Sequence, residues 1–484
     1  MSARLSELLR ADLDVDPVIS GVTADSRRVR PGFLFAALPG AKVDGRAFMR
    51  PAVDAGAAAI LAGEAHPELP VPVASAWDVR RAYALAAGAF YGDQPRTVVA
   101  VTGTNGKTSV AAFCRQIFDA LGHKSASMGT LGVTLSPRAG DQQIVPPGLT
   151  TPDAADVAAN LADLARRGVT HLCMEASSHG IDQRRLDAVR LTAAGFLNLT
   201  QDHLDYHGTM GAYRASKMRL FDSLLPRSGT AVLNADSDAY SAFASASLMA
   251  GHSLMSVGAD GQGIRLLSRA PGSSGQRLTL GYGGRTYDAH LPLVGAFQAS
   301  NAMVAAGLVI ASGEDAAEVF AALEHIQGAP GRLQRVGSGP RGGEAYVDYA
   351  HTPDGLETVL KALRPHAKGR LMVVFGAGGD RDATKRPLMG KAAADLADLA
   401  IVTDDNPRSE EPAAIRAAIL AGAPAALEIG DRREAIEAAV AQLREGDVLV
   451  VAGKGHEQGQ IVAGVTHPFD DVAEVSAALG VSHG

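Results

Sequence analysis

The chain has 484 residues, 46% hydrophobic and 20% charged, which excludes wholesale disorder and predicts two to four domains rather than one core. A net charge of −7 argues against a non-specific nucleic-acid binder, so an anionic ligand has to be met by local Arg and Lys. No apolar run reaches the ~18 residues of a membrane span, Met1 to Glu7 shows no signal-peptide core, and the expected compartment is the cytoplasm.

Taken in chain order, Phe33 to Leu38 reads as a strand, and Gly92-Asp93-Gln94-Pro95 as a linker. Val98 to Val101 is a β-branched run that breaks into Gly103-Thr104-Asn105-Gly106-Lys107-Thr108-Ser109 and then a helix starting near Val110. Cys114 and Cys173 sit in apolar contexts and read as buried small side chains rather than a disulfide or metal pair. Thr151-Pro152-Asp153 predicts an N-cap, a proline at the first helical position and an acidic first turn, with Gly168 ending the helix. Strands are expected at His171–Glu175 and 194–199. A short Gly/Ser-rich loop covers 270–275, and Gly328-Ala329-Pro330-Gly331 makes a second break. Beyond it, strands at 345–348, 371–375, 399–403 and 448–451 alternate with helical stretches, clearest at 415–420 and 435–443. Apolar strands alternating with helices predict α/β units with parallel sheets, divided at 1–95, 96–331 and 332–484.

The Gly-rich turn carries the most specific chemistry. A strand that turns through glycines into a helix aims backbone N–H groups and the positive end of the helix dipole at a phosphate. Lys107 can reach the outer phosphates and the Thr108 hydroxyl can hold Mg²⁺, so ATP is the expected ligand. The standard P-loop has glycine where this chain has Val101, leaving the shorter form G-T-N-G-K-T. Other polar residues gather at strand ends, where open α/β sheets bind ligands: Glu175, Ser177 and His179; Asp202 and His203; Asp348 and His351; Asp405 to Arg408; Gly453 to Glu457. Glu175 can hold Mg²⁺ opposite Thr108, or cap the next helix. His203 alone reads more readily as a hydrogen-bonding loop residue, Arg185 as a solvated charge beside Arg184, and Lys217 as an exposed helical lysine.

G-T-N-G-K-T, M-E-A-S-S-H-G, N-L-T-Q-D-H-L-D-Y-H-G, Y-R-A-S-K, V-D-Y-A-H-T-P-D, G-D-R-D-x-x-K-R-P, D-N-P-R and G-K-G-H-E occur here in one order, and together they resemble the Mur ligases end to end. The resemblance implies a small N-terminal α/β domain, a central P-loop-type ATPase domain and a C-terminal Rossmann-like domain. It implies transfer of the ATP γ-phosphate to a substrate carboxylate, then attack of an amino group on the acyl phosphate. Several anionic oxygens must meet there, so cations must neutralise them.

By resemblance, Gly103 to Ser109 with Asn301, Arg332, Asp348 and His351 contact ATP, and Lys107, Glu175, His203 and Lys217 are the catalytic set. Thr108 and Glu175 would hold one Mg²⁺ and His203 would help hold a second. Lys217 matches the family's carbamylated lysine, whose CO₂-derived carbamate oxygens bind a metal that an ammonium would repel. Ala24, Ser26, Ala41, Lys42, Val43, Thr150, Thr151, Ser177, Gln183 and Arg185 match contacts to UDP-N-acetylmuramoyl-L-Ala-D-Glu. Arg386, Asp405, Asn406, Pro407, Arg408, Gly453 and Glu457 match the pocket for meso-diaminopimelate, whose extra carboxylate suits the Arg408 fork. The alternatives are a lysine-adding, later-step muramyl or folylpolyglutamate-type ligase, and a P-loop NTPase switch that hydrolyses without ligating.

Overall fold

The computed structural model describes residues 1–40, 44–66, 68–272 and 275–481. They condense into two compact units, one of Met1–Leu266, Gly281–Arg285 and Ala302–Ala322, the other of Leu267–Leu280, Thr286–Asn301 and Leu323–Gly484. Residues 1–95 and most of 96–331 thus share the first unit.

The first unit begins with a four-stranded parallel sheet, Gly21–Thr23, Phe33–Ala36, Ala59–Ala62 and Val73–Ser75 in spatial order. The helix Val79–Tyr91 buries Val79, Tyr83, Ala86, Ala87 and Phe90 against it. That core continues onto Ala154, Ala155 and Ala158 of the helix Ala154–Arg166.

A larger sheet follows, with parallel strands in the order Ser125–Gly129, His171–Glu175, Thr97–Thr102, Ala193–Phe196, Thr230–Asn234 and Ser253–Gly258. Gly132–Leu135 and Gln143–Val145 extend one edge antiparallel. Val98, Val99, Ala100 and Val101 are fully buried, as a strand covered on both faces requires. The strand ends at Thr102, and the helix Lys107–Ala120 starts after Gly106 adopts φ +91°, a left-handed turn that suits glycine.

One local expectation is corrected. The helix after Pro152 is capped by Asp153, whose carboxylate accepts from the Ala155 N–H, so Thr151 is not the cap and Pro152 precedes the first helical residue. The Thr151 hydroxyl is engaged instead with the Glu175 carbonyl.

The second unit holds a six-stranded sheet in the order Gln334–Ser338, Glu344–Asp348, Val448–Ala452, Leu371–Phe375, Leu399–Val402 and Leu427–Glu428. Only the first strand runs antiparallel to its neighbour. Leu356, Leu360 and Leu363 of the helix Pro353–Leu363 pack one face, and Ile436, Ala439 and Val440 of Arg432–Val440 the other. Arg432 and Asp471 form an ion pair with both side chains fully buried, tying that helix to Asp471–Leu479.

Candidate active site

In the first unit, the ends of three neighbouring strands converge on one carboxylate. Glu175, 2% exposed, accepts the Thr130 N–H at 2.8 Å, the Thr108 hydroxyl at 3.1 Å and the Thr130 hydroxyl at 3.3 Å. A Cβ at Gly129 would overlap that carboxylate, so the neighbouring strand must carry glycine there. Thr130 was not among the expected residues; its only signal is its place just past a parallel strand.

The loop is braced from the next strand end. Asn198 accepts the Asn105 N–H at 2.9 Å and donates to its carbonyl at 3.1 Å, and the Thr104 hydroxyl bonds the Thr200 backbone. Lys107 donates to the carbonyls of Gly103 at 3.0 Å and Thr104 at 2.8 Å.

Lys217 overturns the exposed-lysine reading: it is 1% exposed, donates to the same Gly103 carbonyl at 2.7 Å and lies 4.5 Å above the Tyr213 ring. Burial first, then repulsion from Lys107, pushes its pKa well below the usual lysine value. The amine therefore carries its lone pair far more readily than a surface lysine does.

His203 adopts φ +53° and caps the one-turn helix Leu204–His207. Such a conformation is strained for a non-glycine residue and concentrates at functional sites. Its ring lies 4.8 Å from His179 and 6.2 Å from Tyr213, and the His207 ring lies 5.2 Å from Tyr213. Burial lowers the pKa of His203 and His207, and pushes His179 down to about 4. His179, His207 and Tyr213 lay within the recognised motifs without an assigned role.

Thr150, Thr151, Ser177, Gln183 and Arg185 form a linked set. Thr151 accepts from both the N–H and the hydroxyl of Ser177, and the Thr150 and Thr130 hydroxyls are 2.9 Å apart. Arg185, which from its own residues alone reads as a solvated charge and by resemblance as a substrate contact, is partly buried and donates to the Thr151 carbonyl at 2.6 Å and to Gln183 at 2.7 Å. Ala24 and Ser26 follow the strand Gly21–Thr23, and no hydrogen bond joins them to that set among the described residues. Ala41, Lys42 and Val43 lie outside the described residues.

In the second unit, Asp348 ends its strand and is buried, accepting the Leu333 N–H at 2.6 Å and the Ala350 N–H at 2.8 Å. Burial raises its pKa to about 6 against the pull of Arg332. The Arg332 guanidinium stacks 4.4 Å from the Tyr349 ring, and its Nε is buried without a hydrogen-bond partner among the described residues. Asn301 donates to Gln298 at 3.2 Å, and Gln298 to the Arg332 carbonyl at 3.4 Å. Gln298, left out of the expected set, is the bridge between the two. His351 bonds the Tyr349 carbonyl through Nδ1 and receives Lys385 on its own carbonyl.

Asn406 organises the remaining pocket. Its Oδ1 accepts Lys454 at 2.9 Å and the Ile461 N–H at 2.9 Å, while its Nδ2 donates to Glu457 at 2.9 Å. Arg408 sits at φ +55° and donates to the Gly379 carbonyl at 2.7 Å. Arg386, 5% exposed, pairs with Glu410 at 2.8 Å, and its Nε too is buried without a partner among the described residues. The Gly378–Gly379 turn thus lies between two guanidinium groups. Gly453, at φ +123°, lets the backbone approach the Asp405 carboxylate where a Cβ would collide. Lys454, fully buried, was not among the expected residues, though it lies inside G-K-G-H-E.

The donor sets have clear chemical preferences. Thr108, Thr130 and Glu175 offer hard oxygens, which fit Mg²⁺, and a low-pKa amine at Lys217 fits reaction with CO₂. Orphaned guanidinium N–H groups on Arg332 and Arg386 fit anionic ligands.

Family models for the Mur ligase family catalytic domain, the Mur ligase middle domain and the Mur ligase glutamate ligase domain match residues 18–101, 101–309 and 331–455. A UDP-N-acetylmuramoyl-L-alanyl-D-glutamate–2,6-diaminopimelate ligase of Caulobacter vibrioides is 68% identical over 481 residues, covering 99% of each chain. The protein of the same name from Bradyrhizobium diazoefficiens is 53% identical, covering 98% of this chain and 99% of its own. A solved structure of a ligase of that name superposes with TM-score 0.74 at 33% identity over 99% of both chains. A MurF structure from Acinetobacter baumannii, at 20% identity and TM-score 0.64 over 93% of this chain and 94% of its own, shares the fold.

Proposed function

The chain belongs to the Mur ligase family of ATP-dependent amide-bond-forming ligases, and from that membership we propose that it joins meso-diaminopimelate to the D-Glu of UDP-N-acetylmuramoyl-L-Ala-D-Glu in cytoplasmic peptidoglycan precursor synthesis. The observation that carries the mechanism is the convergence of Lys107 and Lys217 on the Gly103 carbonyl beside the Thr108–Glu175 pair. The D-Glu side-chain carboxylate attacks the γ-phosphorus, the bond to the ADP oxygen breaks, and the amine of diaminopimelate then displaces phosphate from the acyl phosphate.

Lys107 and the loop N–H groups hold the phosphates in line and offset their charge. Thr108 and Glu175 would hold one Mg²⁺, with Thr130 orienting the carboxylate, and His203 and a carbamate on Lys217 would hold a second. Bound there, the ions supply charge neutralisation between carboxylate and triphosphate. Thr150, Thr151, Ser177, Gln183 and Arg185, with Ala24, Ser26 and the segment 41–43, bind the UDP-muramyl dipeptide. Asn301, Arg332, Asp348 and His351 bind the nucleotide. Arg386 and Arg408 take the diaminopimelate carboxylates, while Asp405, Asn406, Gly453 and Glu457 set the rest of that pocket. The division 1–95, 96–331 and 332–484 is kept as the assignment of these three binding tasks.

Phosphate release measured with each substrate omitted in turn tests the reading. Release that requires both the muramyl dipeptide and the amino acid is expected; release indifferent to both would favour an NTPase switch.

A further inference from the structure

A second cluster of metal-ligating side chains lies away from the site described above. His123 follows the phosphate-loop helix Lys107–Ala120, His171 opens the strand that Glu175 closes, and Glu314 lies between the helices Ala296–Ala311 and Ala316–Ala322. Four steps along the extended strand, about 13 Å, separate His171 from Glu175, so the cluster sits at the opposite end of the sheet from the phosphate loop.

One ligand atom from each residue falls within 4.8 Å of the other two. His123 Nε2 is 2.9 Å and His171 Nε2 3.8 Å from Glu314 Oε1. A tetrahedral zinc ion with bonds of about 2.0–2.1 Å holds its ligand atoms roughly 3.3 Å apart, so sub-ångström shifts would bring both His–Glu pairs to that spacing, while the two imidazoles stack with ring centroids 3.9 Å apart and planes inclined by 31°.

The Thr170 hydroxyl lies 2.8 Å from His171 Nδ1 and 3.3 Å from the Lys124 carbonyl. In the tautomer with the proton on Nδ1, that hydroxyl oxygen accepts it and the Nε2 lone pair faces the Glu314 oxygen 3.8 Å away, where a cation between them would satisfy both. A second ring nitrogen fixed by a hydroxyl or carbonyl is the usual support for a histidine ligand. The buried Phe118 ring lies 4.6 Å from His171 and 6.3 Å from His123, a dry wall that orients both rings. On the other side His123 and Glu314 are 25% and 21% exposed, enough for an ion to enter and keep a water as its fourth ligand.

We propose that His123, His171 and Glu314 form a binding site for Zn²⁺ or a similar borderline transition ion, which staples the end of the phosphate-loop helix to the start of the strand carrying Glu175 and to the 312–315 turn. Two imidazoles and one carboxylate select such an ion over Mg²⁺.

Calorimetric titration of chelator-stripped full-length protein with ZnCl₂, in excess Mg²⁺, tests this. One equivalent of zinc is expected to bind the wild type and the His203→Ala variant, to be lost in both His123→Ala and Glu314→Gln, and to raise the unfolding midpoint only where it binds. Circular dichroism identifies variants that have not folded, and having two surface variants keeps the test open if one fails. No zinc uptake by the wild type, or wild-type affinity in either folded variant, would overturn the proposal and leave an ordinary His–Glu ion pair.

Discussion

At the scale of single residues, Lys217 is the most informative position. A surface lysine would be protonated and hydrated, whereas this one is buried on a backbone carbonyl, 4.5 Å above a tyrosine ring, with a second lysine donating to the same carbonyl. Burial and the Lys107 charge outweigh the pull of the Asp202 carboxylate, so the neutral amine is favoured. Lys217→Ala is expected to lower kcat by about 10²–10³-fold, the scale for removing one group that stabilises transition-state charge. Added short carboxylates should restore part of the loss, and activity within a few-fold of wild type without them would refute the carbamate assignment.

Sequence could not show this burial, because Y-R-A-S-K has no apolar stripe that marks one helix face. The proposed carbamate rests on the family resemblance, and the buried, low-pKa amine is compatible with it. Glu175 was more legible, since a carboxylate closing an apolar strand one unit after a phosphate loop has few places to point. Thr130 was not legible: nothing local separates a threonine that holds a carboxylate from one that ends a strand.

At the scale of elements, alternating apolar strands and helices made the parallel sheets readable, while the caps were harder. Thr151-Pro152-Asp153 contains two residues able to cap, and the choice turned on where the Thr151 hydroxyl found a partner, the Glu175 carbonyl 24 residues away. The buried Arg432–Asp471 pair was likewise unreadable, since neither residue's neighbours mark it as interior. Its removal provides a test of packing in the second unit. Arg432→Met leaves the Asp471 carboxylate buried and unpaired, and should lower the unfolding free energy by about 3–5 kcal/mol. A loss below about 1 kcal/mol in denaturant titration would mean that water reaches the carboxylate.

At the scale of the whole molecule, acid stability depends on buried groups that resist their usual charge. His456 is pushed down to about 4 by burial and by Arg332. As pH falls below about 6.5, the unfolded chain takes that proton before the folded one does, so the stability is present above 6.5 and lost towards 4. Asp348, raised to about 6, works the other way between the usual aspartate value of 3.8 and 6, because its folded form takes the proton first. At about 1.4 kcal/mol per pH unit for a full proton, His456 contributes at most about 3 kcal/mol across its window. His456→Gln should therefore flatten the fall in unfolding free energy between pH 6.5 and 4.5, and parallel curves for variant and wild type would contradict this. On the same scale, the three matched family segments, 18–101, 101–309 and 331–455, run through both compact units.

The most direct test of the account is the mass of the product formed from ATP, Mg²⁺ and UDP-N-acetylmuramoyl-L-Ala-D-Glu when meso-diaminopimelate and L-lysine compete at equal concentration. The diaminopimelate tripeptide is expected in excess by at least tenfold if Arg408 binds the distal carboxylate as proposed, because lysine would leave that guanidinium unpaired. A lysine tripeptide as the main product, or no tripeptide at all, would contradict it.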